Sequence, residues 1–524
     1  MPRRFWGVKR LLKMPITETG DQYSIWVGLI YIFNLIVGTG ALTLPAAFSR
    51  AGWALSTISL VFLAFMSFLN ATYVIETMAC ANAVLKWKKL QSIKRESIQD
   101  RDTDEETTSQ QYGDLEEPLV CGTSIPSRYY SLDQRVELGE MANLFFSKTG
   151  RLMFYCTLCV YLYGDLSIYS AAVAKSVMDV VWWITHSCLY LPQNSLAFRL
   201  KGSTVSSNVT NGRGWESLPC FNATDDPMAY TRLDVYRVSL LTFVAVMGPF
   251  VFFNVQKTKY LQLLTSGMRW LAFTIMISMA IHLLTSRGAE GRPPTFDVTG
   301  MPTLFGACVY SFMCHHSLPG LISPIRGKNG LGLHLSLDYV LISVFYLLLA
   351  FTGAFAFAEL NDLYTLNFVP SDNENIFLKI VDYFLSLFPV FTLSTSFPII
   401  AITLKNNLQS LCLDTGRIES YNVVVRKFLF PVVTVVPPVL LTYYLEDISV
   451  LIEFTGSYAG AGIQYLIPTF LVVSARRHCV ALLGLGVVNK YKSPFSHAAW
   501  AVFVLLWSCM CIILVSVHIL EKKS

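Results

Sequence analysis

The chain alternates between long runs almost free of charge and short stretches that hold most of its charged residues. A helix crosses the hydrocarbon of a bilayer with roughly 20 apolar residues, each adding ~1.5 Å of rise across a slab ~30 Å thick. That ruler predicts spans at 23–48, 52–80, 150–185, 234–255, 264–285, 301–323, 337–358, 376–404, 426–444, 448–474 and 496–520, eleven in all. With 53% of residues hydrophobic and 14% charged, no water-soluble core could absorb that surface, so the lipid bilayer is the expected solvent. Backbone groups in hydrocarbon must be satisfied within their own segment, which makes the fold class an all-α polytopic membrane protein. A net charge of +5 spread over several loops does not favour nucleic acid as a partner.

Loop charge sets the orientation. Arg3, Arg4, Lys9, Arg10 and Lys13, then Lys86 to Arg95, Lys257, Lys259, Arg326, Lys328, Lys405, Arg426, Lys427, Arg476, Arg477 and Lys490 fall on one side, whereas Glu359, Asp362, Asp372, Glu374, Glu446 and Asp447 fall on the other. Positive residues stay inside, so segment 1–21 is expected to be cytoplasmic and, with an odd number of spans, tail 521–524 extracellular or lumenal. The first run is too long and too late for a cleaved signal peptide. Asn208 and Asn222 open Asn-x-Thr acceptors on loop 188–232, on the predicted outer side. Cys188 and Cys220 bound the same loop and are disulfide candidates there. Cys80, Cys156, Cys159, Cys308, Cys314, Cys509 and Cys511 lie in or beside apolar runs and read as small packing residues, with no metal site expected. Loop 86–135 is cytoplasmic and, around Asp100 to Glu117, too polar to fold, so it is expected to be disordered. It carries two Tyr-x-x-apolar tetrapeptides, Tyr112 to Leu115 and Tyr129 to Leu132, of the form endocytic sorting signals take.

The spans themselves contain breaks. The first reads Asn34-Leu-Ile-Val-Gly38-Thr39-Gly40-Ala-Leu42-Thr43-Leu44-Pro45, and the sixth reads Tyr310-Ser311-Phe312-Met313-Cys314-His315-His316-Ser317-Leu318-Pro319-Gly320. Glycines and a missing proline N–H weaken helical bonding in mid-membrane. Small residues can also serve close helix packing alone. Two breaks in matching places of two halves favour discontinuous helices, whose freed N–H groups meet an anionic substrate group and whose freed carbonyls hold a cation. A carboxylate is therefore expected at Gly38, Thr39 and Gly40, and an ammonium at carbonyls near Tyr310 and Ser311.

Asn34 to Pro45 resembles the first-span signature of the amino acid/auxin permease family, and residues from about 20 to 520 are similar to it in span number and order. Phe33 to Leu42, Tyr161-Leu-Tyr-Gly-Asp165, Val255 to Tyr260 and Cys308 to Cys314 resemble the transmembrane protein 104 family, a divergent branch of that group. The resemblance implies one amino acid transporter-like membrane domain over 22–520, with an inverted-repeat five-plus-five, LeuT-like architecture and one extra helix. In sodium-coupled relatives an Asn before the Val-Gly pair and hydroxyls of the eighth span help hold sodium. By that resemblance Asn34, Thr392, Ser394, Thr395 and Ser396 are cation-binding candidates, although such hydroxyls also commonly bond back to the preceding helical turn.

Protons are the rival coupling ion. Ionisable side chains inside a membrane are costly and tend to be functional, which singles out Glu76 and Asp165, with Lys175 and the pair His315 and His316 beside them. The expected function is secondary active transport of amino acids or related small solutes, driven by Na+ or H+, in the plasma or an endolysosomal membrane. A solute sensor signalling through the cytoplasmic loop is the alternative. No cofactor is expected, and the sequence holds no Walker loop, H-E-x-x-H or G-x-S-x-G that would suggest an enzyme.

Overall fold

The structure is a computed structural model describing residues 22–104, 129–187, 231–252, 259–368, 375–413, 428–484 and 487–523, with backbone alone at 94–104, 185–187, 259–263 and 522–523. Asn208, Asn222, Cys188, Cys220 and the Tyr112 tetrapeptide lie outside the described residues.

Every predicted span falls on helix. In chain order these are α1 (Ile25–Ile36), α2 (Thr39–Ala51), α3 (Trp53–Asp104), the short α4 (Leu138–Phe145), α5 (Lys148–Ser187), α6 (Arg232–Met247), α7 (Lys259–Arg287), α8 (Met301–Ser311), α9 (Leu318–Ile322), α10 (Leu331–Ala356), α11 (Ile376–Cys412), α12 (Phe430–Tyr444), α13 (Ile448–Phe454), α14 (Ile467–Leu483) and α15 (Ala498–Lys523). Among the described residues eight helices are long and apolar enough to cross a membrane, and the bent pair α1 and α2 makes a ninth. The predicted eleven is therefore not reached by length among the described residues: α12 has 15 there, and the sixth segment is split into α8 and α9.

The core is apolar, as in a soluble protein, but large apolar side chains also cover the outer faces and polar ones are buried between the helices. Ile58, Val340, Leu341, Val344, Ile380, Leu506 and Ile513 are exposed on the outer faces, whereas Ser67, Asn70, Thr77, Asn82 and Gln464 are fully buried. α3 is the central post, with 72% of its most apolar stretch buried, and α15 is peripheral at 22%. α11 packs along α5 and α14 along α3. Between α13 and α14 the chain winds into wider π-helical turns, Thr455–Gly460 and Gly462–Leu466. Such widenings often mark functional sites. Here they bring Gly456 against the backbone of Gly306 in α8, and Thr455 against Gly164 in α5, so tightly that a Cβ on any of these glycines would overlap its neighbour.

Loop 86–135 corrects the sequence reading at both ends. α3 runs on to Asp104, and Tyr130 and Leu132 are buried, with the Asn82 amide donating to the carbonyls of Ser131 and Gln134 at 2.8 and 3.2 Å. The tetrapeptide Tyr129 to Leu132 is thus part of the packed core and is not presented to a peptide-reading partner. The alternation of Tyr130, Leu132 and Val136 among polar residues was the overlooked signal.

Candidate functional site

The first break sits where the glycine predicts it. Gly38 N–H turns back to the Ile36 carbonyl at 2.9 Å, so the Asn34 carbonyl loses the N–H that an unbroken helix would give it. Arg269 of α7 replaces that donor, its guanidinium bonding the Asn34 oxygen at 2.7 Å. α2 then restarts at Thr39, bent 55° from α1, with its first turn at the break and the Ala41 N–H already donating to the Gly38 carbonyl at 3.1 Å. Among the described residues a Cβ on Gly38 would meet nothing within 4 Å, whereas one on Gly40 would stand 2.6 Å from both Cα and Oγ of Ser311. The two glycines therefore differ: Gly38 faces space, and Gly40 lets the first break touch the second.

The second break opens after Ser311, where α8 ends, and closes at Leu318 and Pro319, where α9 starts. The Tyr346 hydroxyl of α10 joins the two, lying 2.9 Å from the Ile36 carbonyl and 3.0 Å from that of Ser311 and donating to one at a time. Beside this junction the Tyr310 hydroxyl donates to Asp165 Oδ1 of α5 at 2.5 Å, with both residues buried. Tyr169, one turn along α5, neighbours Thr39, Arg269 and Asp165. Gly38, Thr39, Gly40, Tyr310 and Ser311, drawn from two breaks, therefore converge. The structure adds Asp165 to them, a residue the sequence placed only among proton carriers. His315 and His316 lie in the second break, His315 Nε2 being 3.1 Å from the Ser67 carbonyl and the His316 ring 5.7 Å from that of Tyr161.

Other candidates stand elsewhere. Glu76 is clamped by Arg476, Oε1 to Nε at 2.8 Å and Oε2 to Nη2 at 2.7 Å, and Oε2 also accepts the Ser493 N–H at 2.9 Å. With both oxygens paired, it reads as a structural ion pair. Glu76→Gln leaves the Arg476 charge unbalanced, and because Arg476 is 23% exposed the expected loss lies near the lower end of ~3–5 kcal/mol. Thermal unfolding in detergent measures this; an unchanged midpoint would contradict it. The span-eight hydroxyls bond back along α11: Thr392 to Phe388 at 2.9 Å, Ser394 to Val390 at 2.5 Å, and Thr395 and Ser396 to Thr392 at 2.8 and 3.2 Å.

Both ends of the bundle are closed over the site. At one, Asp362 accepts from Arg50 of α2 at 2.9 Å and from Ser449 of α13 at 2.7 Å, with Lys175 of α5 3.7 Å away. At the other, Tyr23 before α1 pairs its backbone with Pro324 and Arg326 at 3.2 and 2.8 Å, and its hydroxyl reaches the Leu321 carbonyl of α9 at 2.5 Å. Burial disfavours the Asp362 carboxylate, but Lys175, Arg50 and Ser449 outweigh it and hold its pKa below the ordinary 3.8. A depressed carboxylate pKa gives stability that is complete above the unfolded value and lost as pH falls through the folded one. The thermal-stability gap between the protein and Asp362→Asn should stay constant from pH ~7 to ~5 and shrink only below the ordinary carboxylate range. A gap that closes near pH 6 would contradict the clasp.

Sequence reasoning missed Arg269 and Tyr346. Arg269 carried a usable signal, a cation inside the apolar stretch 264–285. Tyr346 carried none, because its hydroxyl is defined only by carbonyls about one helix away in space and far off in sequence.

A bundle of apolar helices around two facing helix breaks, buried and closed at both ends, defines a multi-pass membrane protein of transporter architecture. The chain belongs to the transmembrane amino acid transporter protein family, whose model matches residues 21–87 and 120–515. Its relatives include the transmembrane protein 104 homolog of Drosophila melanogaster, 51% identical over 96% of this chain and 98% of that one. Human transmembrane protein 104 is 46% identical over 97% and 99%, and the Dictyostelium discoideum homolog is 33% identical over 94% and 97%. Among solved structures, MhsT in complex with L-phenylalanine superposes with a TM-score of 0.52 at 11% identity, covering 95% of this chain and all of that one. That likeness gives the chain a LeuT-like fold.

Proposed function

We propose that this protein is a secondary active transporter of amino acids or closely related small solutes, working by alternating access around the two breaks and coupled to protons at Asp165. The observation that carries the reading is the meeting of Gly40 with Ser311 beside the Asp165–Tyr310 hydrogen bond. A substrate carboxylate suits the first-turn N–H groups of α2, where the helix dipole favours negative charge. An ammonium suits the C-terminal end of α8, next to the Asp165 carboxylate. The family's description and the bound L-phenylalanine of MhsT are in keeping with that substrate class.

Protons fit better than sodium as the coupling ion. The Asn34 carbonyl, the one cation-binding candidate outside α11, already meets the Arg269 guanidinium, which repels a second cation. In this reading the N-terminus is cytoplasmic, Asn208 and Asn222 carry glycans outside, and Cys188 and Cys220 can pair there. Arg50–Asp362 is then the outer clasp and Tyr23–Ile325 the inner one.

Ligand-induced thermal stabilisation across a panel of the common amino acids tests the binding half. Saturable stabilisation by one chemical class, lost when the carboxylate is amidated, is the expected result. Stabilisation that ignores the carboxylate would contradict the assigned substrate pose, and binding without any flux would instead support a sensor.

A further inference from the structure

Away from the breaks, at the end of the bundle closed by Tyr23, lies a cavity of about 380 Å³ lined by separate stretches of chain. Gln22 comes from the segment before α1, Asp133 from that before α4, Ser323, Arg326 and Lys328 from the connection between α9 and α10, and Lys490 from that between α14 and α15. Three cationic side chains thus face one carboxylate. The walls are fixed in part: Arg326 Nε donates to Gln22 Oε1 at 2.8 Å, and Lys328 Nζ donates to the Ser323 carbonyl at 3.0 Å and stands 3.5 Å from Asp133 Oδ1. The Lys328 side chain is 8% exposed, while Asp133 is 73% exposed, so the negative partner is the weakly held one. Ser323 is buried, and its hydroxyl has no hydrogen-bond partner among the described residues. Burial lowers the Lys328 pKa, Asp133 opposes that, and Lys490 adds to it. An anion in the cavity would relieve both penalties.

We propose that this cavity is a binding site for an anion bearing more than one phosphate group, held by Arg326, Lys328, Lys490 and the Ser323 hydroxyl. A cavity of this size takes a single sugar or polyol ring with its phosphates and is too compact for an extended acidic peptide. Guanidinium and ammonium groups from different segments suit phosphate oxygens arranged around such a ring. Basic pockets next to membrane helices favour lipid headgroups of this chemistry as well as their soluble counterparts. Gln22 adjoins Tyr23, and Arg326 adjoins Ile325, the two residues whose backbones pair at this end. Occupancy therefore braces the inner clasp and holds the bundle closed on this side.

The test uses the full-length protein in nanodiscs and reads binding rather than transport, so its outcome is separable from that of the transport reading. One arm adds soluble inositol 1,4,5-trisphosphate to phosphatidylcholine discs; the other builds phosphatidylinositol 4,5-bisphosphate into the discs, with phosphatidylserine as control. Saturable thermal stabilisation in either arm is expected, the soluble arm identifying a free ligand and the lipid arm alone a headgroup. Lys328→Gln should weaken it at least roughly tenfold, the loss of a charged hydrogen bond. Lys490→Gln, at an exposed position outside the helices, should weaken it several-fold, and Asp133→Asn should strengthen it. Absence of stabilisation in both arms, wild-type affinity in Lys490→Gln, or weaker binding in Asp133→Asn would overturn the assignment.

Discussion

Asp165→Asn is expected to abolish proton-driven accumulation of substrate while leaving exchange of substrate for substrate intact. Asparagine keeps the size of the side chain and still accepts the Tyr310 hydroxyl, so the 2.5 Å contact that orients α8 against α5 survives. What it removes is a group able to take up and release a proton next to the first break. A pH unit across the membrane supplies ~1.4 kcal/mol per proton, or tenfold in concentration. The unmodified protein should therefore concentrate substrate up to ~10-fold per pH unit for each coupled proton, and Asp165→Asn should equilibrate it without concentrating it. Exchange in proteoliposomes with equal pH on both sides shows whether the variant still cycles. Undiminished accumulation in Asp165→Asn would remove the proton from this residue. Tyr310→Phe, which takes away only the hydroxyl, should weaken coupling without abolishing exchange.

Gly38→Leu and Gly40→Ala are expected to fail in different ways. At Gly38 a side chain enters open space, and the negative φ of −127° imposes no left-handed strain. The folded protein should keep a thermal midpoint closer to the parent's than Gly40→Ala does, because the added Cβ displaces no described neighbour. The added side chain nevertheless fills the room beside the freed N–H groups, and binding and uptake should both be lost. At Gly40 even a methyl meets Ser311 backbone at 2.6 Å, so Gly40→Ala must push the two broken helices apart. Overpacking of that kind costs ~1–3 kcal/mol and should lower the unfolding temperature together with uptake. Thermal midpoints measured beside uptake separate the two cases. A Gly38→Leu protein that transports normally would show that the first break does not hold substrate.

The difference between these glycines marks how far the sequence reaches. Apolar length placed the long helices, because hydrocarbon thickness fixes the number of residues a span needs, and Gly38 placed the first break, while Pro45 sits within α2. Neither could show which glycine faces space and which faces Ser311, since that depends on α8, some 270 residues on. Glu76 and Asp165 looked alike as buried carboxylates in apolar runs. They part only when Arg476 is seen to clamp the first and Tyr310 the second. The hydroxyls of α11 offer oxygen at a suitable depth and donate their protons to carbonyls of their own helix, a pairing that a sequence alone does not display. The span count suffered from the same feature that makes the site: a helix interrupted at Ser311 no longer satisfies a length criterion.

The central claim is net, proton-driven movement of an amino acid through the site where the breaks meet. Purified protein in sealed liposomes, given labelled amino acids under an imposed pH gradient with sodium either present or replaced by choline, measures it directly. The account predicts accumulation of at least one amino acid that collapses when a protonophore dissipates the gradient and does not depend on sodium. Accumulation that persists with the protonophore and requires sodium, or no flux for any amino acid in protein shown to be folded, would contradict it.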